Sequence, residues 1–496
     1  MINNYFTLAW RNLLKHKSSF LINLIGLSIG LACVLFIYLW VNDELKFDKY
    51  HEKDGTLYQV MYHTKSERGV ETRQDTPHPL SEALAKEMPE VEYAVTVTPD
   101  LFLPAFTLTG NNKTVKGLGK FVGKDFFNIF SYNLVQGDKF KVLTNKNAIV
   151  LSESQAKNLF RSTDNIIGKT IKWDVAGLKR ECLVTGIFKD VPLNSSEHFD
   201  FILSFDDLKD IMGMQPIWNA EPFITYLTVK KGINIDRFND KVTAYVKEKS
   251  NDHNRSFFLK SFSDNYLYSK YENGKESGGR IEYVKLFSLI ALFILIISSI
   301  NFINLSTAKA AKRVKEVGIK KAIGAGRKVL IAQYLVESIL ISFLSLTVAV
   351  ILVLFLLPQF NEITGKNLLF LLDTEIGLAL LGITVFTGVL SGIYPAIYLS
   401  GFKPAMVLKG RFNSSTGELW TRKGLVIFQF TLSIIFIISV VVLYKQIDYV
   451  QHKSLGFDKN NLIYFEAEGT VSENPEAFLY EIQRIPGIEM APSMIG

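Results

Sequence analysis

Apolar residues gather along this chain into five windows without a charged side chain, at residues 20–41, 286–308, 338–357, 376–402 and 425–444. A helix rises about 1.5 Å per residue and the hydrocarbon layer is about 30 Å thick, so each window predicts a membrane-spanning helix. The first is not the pattern of a cleaved signal peptide. Its apolar stretch is too long, and it runs into Val41-Asn42-Asp43-Glu44 rather than a small-residue cleavage site. Between the first two windows the pattern changes to short strand-like runs, at 57–63, 93–98, 148–151, 170–175, 181–188, 199–205, 225–230 and 257–262. Amphipathic helical patterns at 79–86, 154–160 and 235–249 lie among them, with Ser152 placed to cap the second. This mixture predicts an α+β domain, large enough to bury its own core and organised as two lobes with one inserted in the other.

Charge fixes the direction of the spans. Residues 1–19 carry Arg11, Lys15 and Lys17 and no acid, residues 306–328 carry eight Lys/Arg against one Glu, and residues 401–423 carry five against one. The short connection 358–375 has the single base Lys366. Basic segments stay on the cytoplasmic side, so five alternating spans put the N-terminus inside and residues 42–283 outside. The net charge of +7 therefore marks topology, and no nucleic-acid partner is expected. The predicted fold class is an α-helical membrane domain of five spans with a large α+β extracytoplasmic domain between spans 1 and 2. The expected segments are a cytoplasmic interfacial helix at 1–19, a first span at 20–41, the outer domain at 42–283 and a membrane domain at 284–402. A cytoplasmic linker at 403–424, a fifth span at 425–445 and the start of a second outer domain at 446–496 follow. Phe6, Trp10, Leu13 and Leu14 share one face of the N-terminal stretch, which suits a helix lying on the inner surface.

An internal repeat supports the second outer domain. Phe47-Asp48, a strand pattern and the helical stretch 83–88 before Pro89-Glu90-Val91-Glu92 follow the first span. Phe457-Asp458, a strand pattern at 462–465 and the helical stretch 477–485 before Pro486-Gly487-Ile488-Glu489 follow the fifth. The repeat leads us to expect a chain that continues beyond Gly496 into the rest of that domain and three more spans. The cysteines Cys33 and Cys182 fall in different environments, so no disulfide is expected, and Cys33 is read as a small packing residue.

The segment between spans two and three reads Arg313-Val-Lys-Glu316-Val-Gly318-Ile-Lys320-Lys321-Ala-Ile-Gly324-Ala325-Gly326-Arg327, with Gln333, Glu337 and Ser338 beyond it. A loop that only fixes topology would account for the lysines but not for Glu316, Gly318, Gly324 and Ala325 at these spacings. We expect a short helix ended by Gly324 and Gly326, with an exposed Glu316 and a cationic side offered to another protein. Span four closes on Gly388-Val-Leu-Ser391-Gly392-Ile-Tyr394-Pro395-Ala396, where Gly388 and Gly392 make a face for close helix contact and Pro395 kinks or ends the span. Gly26 and Gly30 make a similar face in span one. Glu337, at the inner end of span three, suits either coupling or helix packing.

These two segments resemble the coupling segment and the fourth-span ending of MacB/FtsX-type ABC transporter permeases. Ile167-Gly168-Lys169-Thr170 and residues 186–195 resemble, more loosely, parts of the MacB-type extracytoplasmic domain. The fifth span departs from the four-span layout and points to eight-span relatives. The resemblance implies a multi-pass inner-membrane permease that couples ATP hydrolysis on a separate cytosolic ABC ATPase to movement of the outer domain. It implies export or extraction of a peptide, lipoprotein or hydrophobic compound. Its partners would be that ATPase, membrane lipid and a periplasmic or outer-membrane protein, with Arg313, Glu316, Gly318, Lys320, Lys321, Gly324, Ala325 and Arg327 contacting the ATPase. No cofactor would be bound directly, and the partner would use the ATP.

The alternative is a non-transporting transducer, or a regulator of a cell-wall hydrolase. An enzyme is not expected. Gly168-Lys169-Thr170 lacks the first glycine of a phosphate-binding loop, since Thr163 stands there. The histidines form no metal-ligand spacing, and no nucleophile elbow occurs.

Overall fold

The structure, a computed structural model, describes residues 11, 17–67, 69–100, 102–175, 177–219, 222–308, 310–402, 416–453, 462–463, 471 and 474–492. The interfacial stretch expected before Lys17 falls outside the described residues except for Arg11. The chain divides into two compact units, Met1–Asp43 with Tyr283–Asn460, and Glu44–Glu282 with Asn461–Gly496. Helix α1 spans Lys17–Leu45.

The outer unit is built on one mixed sheet, thirteen-stranded among the described residues. Its strands, in chain order, are β1 (Leu57–Ser66), β2 (Gly69–Arg73), β3 (Val91–Val97), β4 (Phe106–Gly110), β5 (Lys113–Gly117), β6 (Gly119–Val122), β7 (Leu134–Gln136), β8 (Ala148–Ser152), β9 (Thr170–Val175), β10 (Leu178–Phe188), β11 (Phe201–Ser204), β12 (Ile224–Val229) and β13 (Arg255–Ser261). The order across the sheet is β13-β1-β12-β3-β6-β11-β8-β10-β9-β4-β5, with β2 beside β1 and β7 beside β10. Chain segments 57–97 and 224–261 supply one half, and the strands between them supply the other. The halves meet where Val97 pairs with Val122. The insertion thus takes the form of one lobe's strands added to the edge of the other's sheet.

Helices α2 (Leu80–Glu87) and α5 (Ile235–Ser250) cover the parent half, where Leu80, Leu84, Phe238, Val242 and Val246 are buried against Val60, Tyr62 and Leu227. Helix α3 (Glu153–Phe160) covers the inserted half, and Ser152 caps it by accepting from the Gln155 amide at 3.2 Å. Helix α4 (Phe205–Met212), absent from the sequence expectation, follows β11 directly. Phe205 belongs to this helix rather than to the strand predicted at 199–205. At the start of this unit Glu44 is fully buried, accepting from the Tyr266 hydroxyl at 3.2 Å and from Arg280 Nε at 3.3 Å. Phe47 stacks on Tyr266 with ring centres 3.6 Å apart.

The membrane unit contains α6 (Arg280–Ala308, its first turn in the outer unit), α7 (Ala310–Ala322), α8 (Arg327–Thr364), α9 (Thr374–Ser400) and α10 (Thr416–His452). Among the described residues, five helices are long and apolar enough to cross a membrane: α1, α6, α8, α9 and α10. They outrun the uncharged windows because charged residues are tolerated in the flanking turns. Helix α8 passes through Pro358 to Thr364, so the connection expected from residue 358 is shorter and begins at Gly365. Helix α10 starts inside the stretch read as a linker, of which residues 403–415 lie outside the described set. Lys366 is paired with Asp43 at the end of α1.

Cys33 is exposed on α1 rather than packed, which corrects the expectation for it. Cys182 is buried on β10, and Trp173 Nε1 donates to its sulfur at 3.2 Å. In the second copy of the repeat, helix α11 (Pro475–Gln483) is followed by Gly487 at φ +99°. Leu462 and Ile463 form no strand, and the rest of the strand expected at 462–465 lies outside the described residues.

Candidate coupling segment

The segment between the second and third spans folds as α7, whose end is set by its own sequence. Ala325 N donates to Lys320 O at 2.9 Å and Gly324 N to Lys321 O at 3.0 Å, with Gly324 at φ +101°. This pair of bonds across a left-handed residue is a Schellman turn, and it satisfies carbonyls that a helix end leaves open. Gly324 therefore ends the helix as expected. Gly326 does not: its backbone is extended (φ −69°, ψ 157°) and it stands at the N-cap of α8.

Helix α7 packs through Val317, which is buried with Leu330 and Tyr334 of α8 and Ala396 and Leu399 of α9, while Ala325 packs partly against the same cluster. Gly318 is buried beside Val317. Lys321 Nζ donates to Ser400 O at 2.6 Å and to Phe402 O at 2.8 Å. These carbonyls close the C-terminal end of α9, where a cation meets both open acceptors and the negative end of the helix dipole. Arg327 Nε reaches Ser400 Oγ at 3.4 Å. Lys320 Nζ lies 2.7 Å from Glu316 Oε1 and donates to Gln333 Oε1 of α8 at 3.2 Å.

The cationic side that the sequence assigned to a partner is thus engaged within the chain at Lys320, Lys321 and Arg327. The physical reason is that the open helix end of α9 and the buried Gln333 amide need donors nearby. Among the described side chains, α7 and the turn after it face outward with apolar residues: Ile319 of the helix is 53% exposed and Ile323 of the turn 82%. Glu316 keeps a partly exposed carboxylate beside them. Arg313 lies in α7, and its side chain is outside the described residues. Glu337 is buried on α8, one turn from the buried Gln333. The partners Ser400, Phe402 and Gln333 were not singled out from sequence. Gln333 appeared only as a motif position, and nothing local ties Lys321 to a carbonyl 79 residues away.

The paired glycines mark close helix contacts. A side chain at Gly388 would meet Ile339 Cα at 2.8 Å, and one at Gly392 would meet Ser338 Cβ at 2.7 Å. Gly30 lies against Ser298, and Gly26 faces Asn301, whose Nδ2 is 3.1 Å from a Cβ built there. Pro395 does not end its span, since α9 runs on to Ser400.

Five apolar helices, a large α+β domain between the first two and a short helix held on the ends of two spans define a multi-span membrane permease. Residues 20–245 match the model of the MacB-like periplasmic core domain, and residues 288–404 match that of the FtsX-like permease C-terminal region. The chain belongs to the MacB/FtsX-type ABC transporter permeases.

Among curated relatives, the macrolide export ATP-binding/permease protein MacB of Burkholderia cenocepacia is 24% identical over 416 residues, 80% of this chain and 56% of that protein. The protein of the same name from Mannheimia succiniciproducens is 24% identical over 420 residues, 81% of this chain and 60% of that one. The chain therefore spans somewhat more than half the length of these relatives. Solved structures are similar too, two of them as follows. A domain of a putative permease from Porphyromonas gingivalis is 19% identical, covering 43% of this chain and 92% of that one with a TM-score of 0.36. The periplasmic region of MacB from Actinobacillus actinomycetemcomitans is 17% identical, covering 42% and 89% with a TM-score of 0.31.

Proposed function

We propose that this permease transmits motion. A separate cytosolic ABC ATPase docks on α7, and its nucleotide-driven movement passes through the spans to a periplasmic outer domain. That domain then acts on a peptide, lipoprotein or hydrophobic compound for export or extraction. The observation that carries this reading is α7 itself. The helix is fastened to α8 and α9 by Lys320, Lys321 and Val317, yet it presents Ile319 outward, and the turn that ends it presents Ile323. A push on that surface has a rigid route into two spans, and exposed apolar residues beside a carboxylate suit a protein partner. ATP hydrolysis belongs to the partner in this account, and the N-terminus and α7 lie in the cytoplasm.

The test is recovery of the complex and stimulation of ATPase activity in detergent. Ile323→Asp should lower both by at least about tenfold, since a buried apolar anchor replaced by a charge costs more than about 1.4 kcal/mol. Glu316→Lys should weaken binding less, as its carboxylate is only partly buried. Lys157→Glu, exposed on α3 of the outer domain, is the control and should match wild type. Wild-type binding and stimulation by Ile323→Asp would remove α7 as the docking element.

A further inference from the structure

Two stretches singled out in the sequence, Phe47-Asp48 after the first span and the end of residues 186–195, meet in space. Asp48 N donates to Asn194 O at 2.9 Å, and Ser196 N donates to Asp48 Oδ1 at 2.7 Å. Asn194 Nδ2 reaches Lys46 O at 3.5 Å, and the Tyr50 hydroxyl donates to Ser195 Oγ at 3.0 Å. The strap continues into the sheet. Glu197 pairs with Lys120 of β6 in the inserted lobe and accepts from the Tyr226 hydroxyl of β12, in the parent lobe, at 3.1 Å. A few consecutive residues therefore hold the chain leaving α1 and both lobes together.

We propose that segment 194–197 is a proton-sensitive latch between the chain at 46–50 and the two lobes of the outer domain, tightened when Asp48 is protonated. Asp48 is fully buried and its second oxygen, Oδ2, has no hydrogen-bond partner among the described residues. A carboxylate there is poorly satisfied, whereas a carboxylic acid keeps the Ser196 bond through Oδ1 at a lower desolvation cost. Burial accordingly pushes the Asp48 pKa up to about 6, against the pull of Ser196, with Glu197 raising it further and His198 lowering it.

The other groups facing Asp48 do not titrate in its place. Tyr50 is pushed up to about 12 by burial, and Tyr132 and Tyr226 are raised well above their usual value by burial. His51 is lowered to about 4 by burial, so it stays neutral near pH 6. Lys46 and Lys49 flank Asp48 in the chain, and Glu197 is engaged by Lys120. His198, exposed on the strap, is the competitor the test must separate.

The sign follows from linkage. The closed latch holds the proton more tightly than the opened one, in which Asp48 meets water, so closure strengthens as pH falls through about 6. The latch is weakest at neutral pH and gains about tenfold in closure by about pH 5.

Hydrogen exchange on the full chain in lipid nanodiscs tests this without any ATPase, so its outcome is independent of the coupling proposal. Protection of peptides covering 44–52 and 190–199, corrected for intrinsic rates, should be about tenfold greater at about pH 5 than at about pH 7.5. Peptides from the inserted core at 148–160 serve as the folding control. Asp48→Asn should be strongly protected at both pH values, since Asn keeps the Oδ1 acceptor and tolerates the φ of +61° found here. His198→Gln should keep the wild-type pH dependence. Equal wild-type protection at both pH values, persistence of the dependence in Asp48→Asn, or its loss in His198→Gln would each overturn the proposal.

Discussion

Lys321 carries two short contacts to carbonyls at the end of α9, which makes it a structural cation inside a segment rich in cations. Lys321→Met leaves those carbonyls without their donor and should cost about 1–2 kcal/mol, read as a lower thermal midpoint in detergent, with Lys321→Arg recovering part of it. The sequence showed that this segment exceeds what topology requires, through Glu316, Gly318 and Gly324. It could not show which cations are engaged at home, because Lys321 and Ser400 are brought together only by the packing of α7 on α9. The same holds for Lys366, the single base of its connection in the sequence, which is paired with Asp43 of α1. Cys182 is a second residue with a definite expectation. Burial pushes its thiol up to about 11, so a maleimide at about pH 8 should leave it unlabelled in the native protein and label it after denaturation. Labelling in the native state would mean that β10 opens readily.

Helix α9 contains four glycines in two environments, and this gives a prediction at the scale of the element. Nothing lies within 4 Å of a Cβ built at Gly377 or Gly382, whereas Gly388 and Gly392 press on α8. Gly382→Ala should be neutral or stabilising by up to about 1 kcal/mol, through helix propensity. Gly392→Ala should destabilise by about 1–3 kcal/mol, since the added methyl overlaps Ser338 and helices in contact must separate. Thermal midpoints of the two variants should move in opposite directions or differ clearly, and equal shifts would deny the close contact. The glycine spacing was legible because small residues every four positions lie on one helix face. Other elements were harder to read. The β4–β5 hairpin was missed although Asn111 and Asn112, both at positive φ, form the kind of two-residue turn that joins such strands. Helix α4 was hidden because its short apolar face, Phe205 and Leu208, continues directly from the buried strand β11.

Over the whole molecule, the span number and the position of the α+β domain were readable because uncharged length and basic flanks are strong, independent signals. Helix ends were not, since a span continues beyond its last uncharged residue, as α8 does on both sides. The proposed orientation makes a simple prediction in a background lacking Cys33 and Cys182. An impermeant thiol reagent on intact cells, with the outer envelope permeabilised, should label Lys157→Cys and leave Ile323→Cys unlabelled until the inner membrane is opened. Reversed labelling would invert the arrangement. Motion passing from α7 to the outer domain is the central claim, and hydrogen exchange on the complex with its ATPase tests it most directly. Exchange across residues 44–282, compared between the nucleotide-free complex and one held with a non-hydrolysable ATP analogue, should change on nucleotide binding and should not change in Ile323→Asp. Identical exchange in both nucleotide states, with the wild-type ATPase demonstrably bound, would contradict the account.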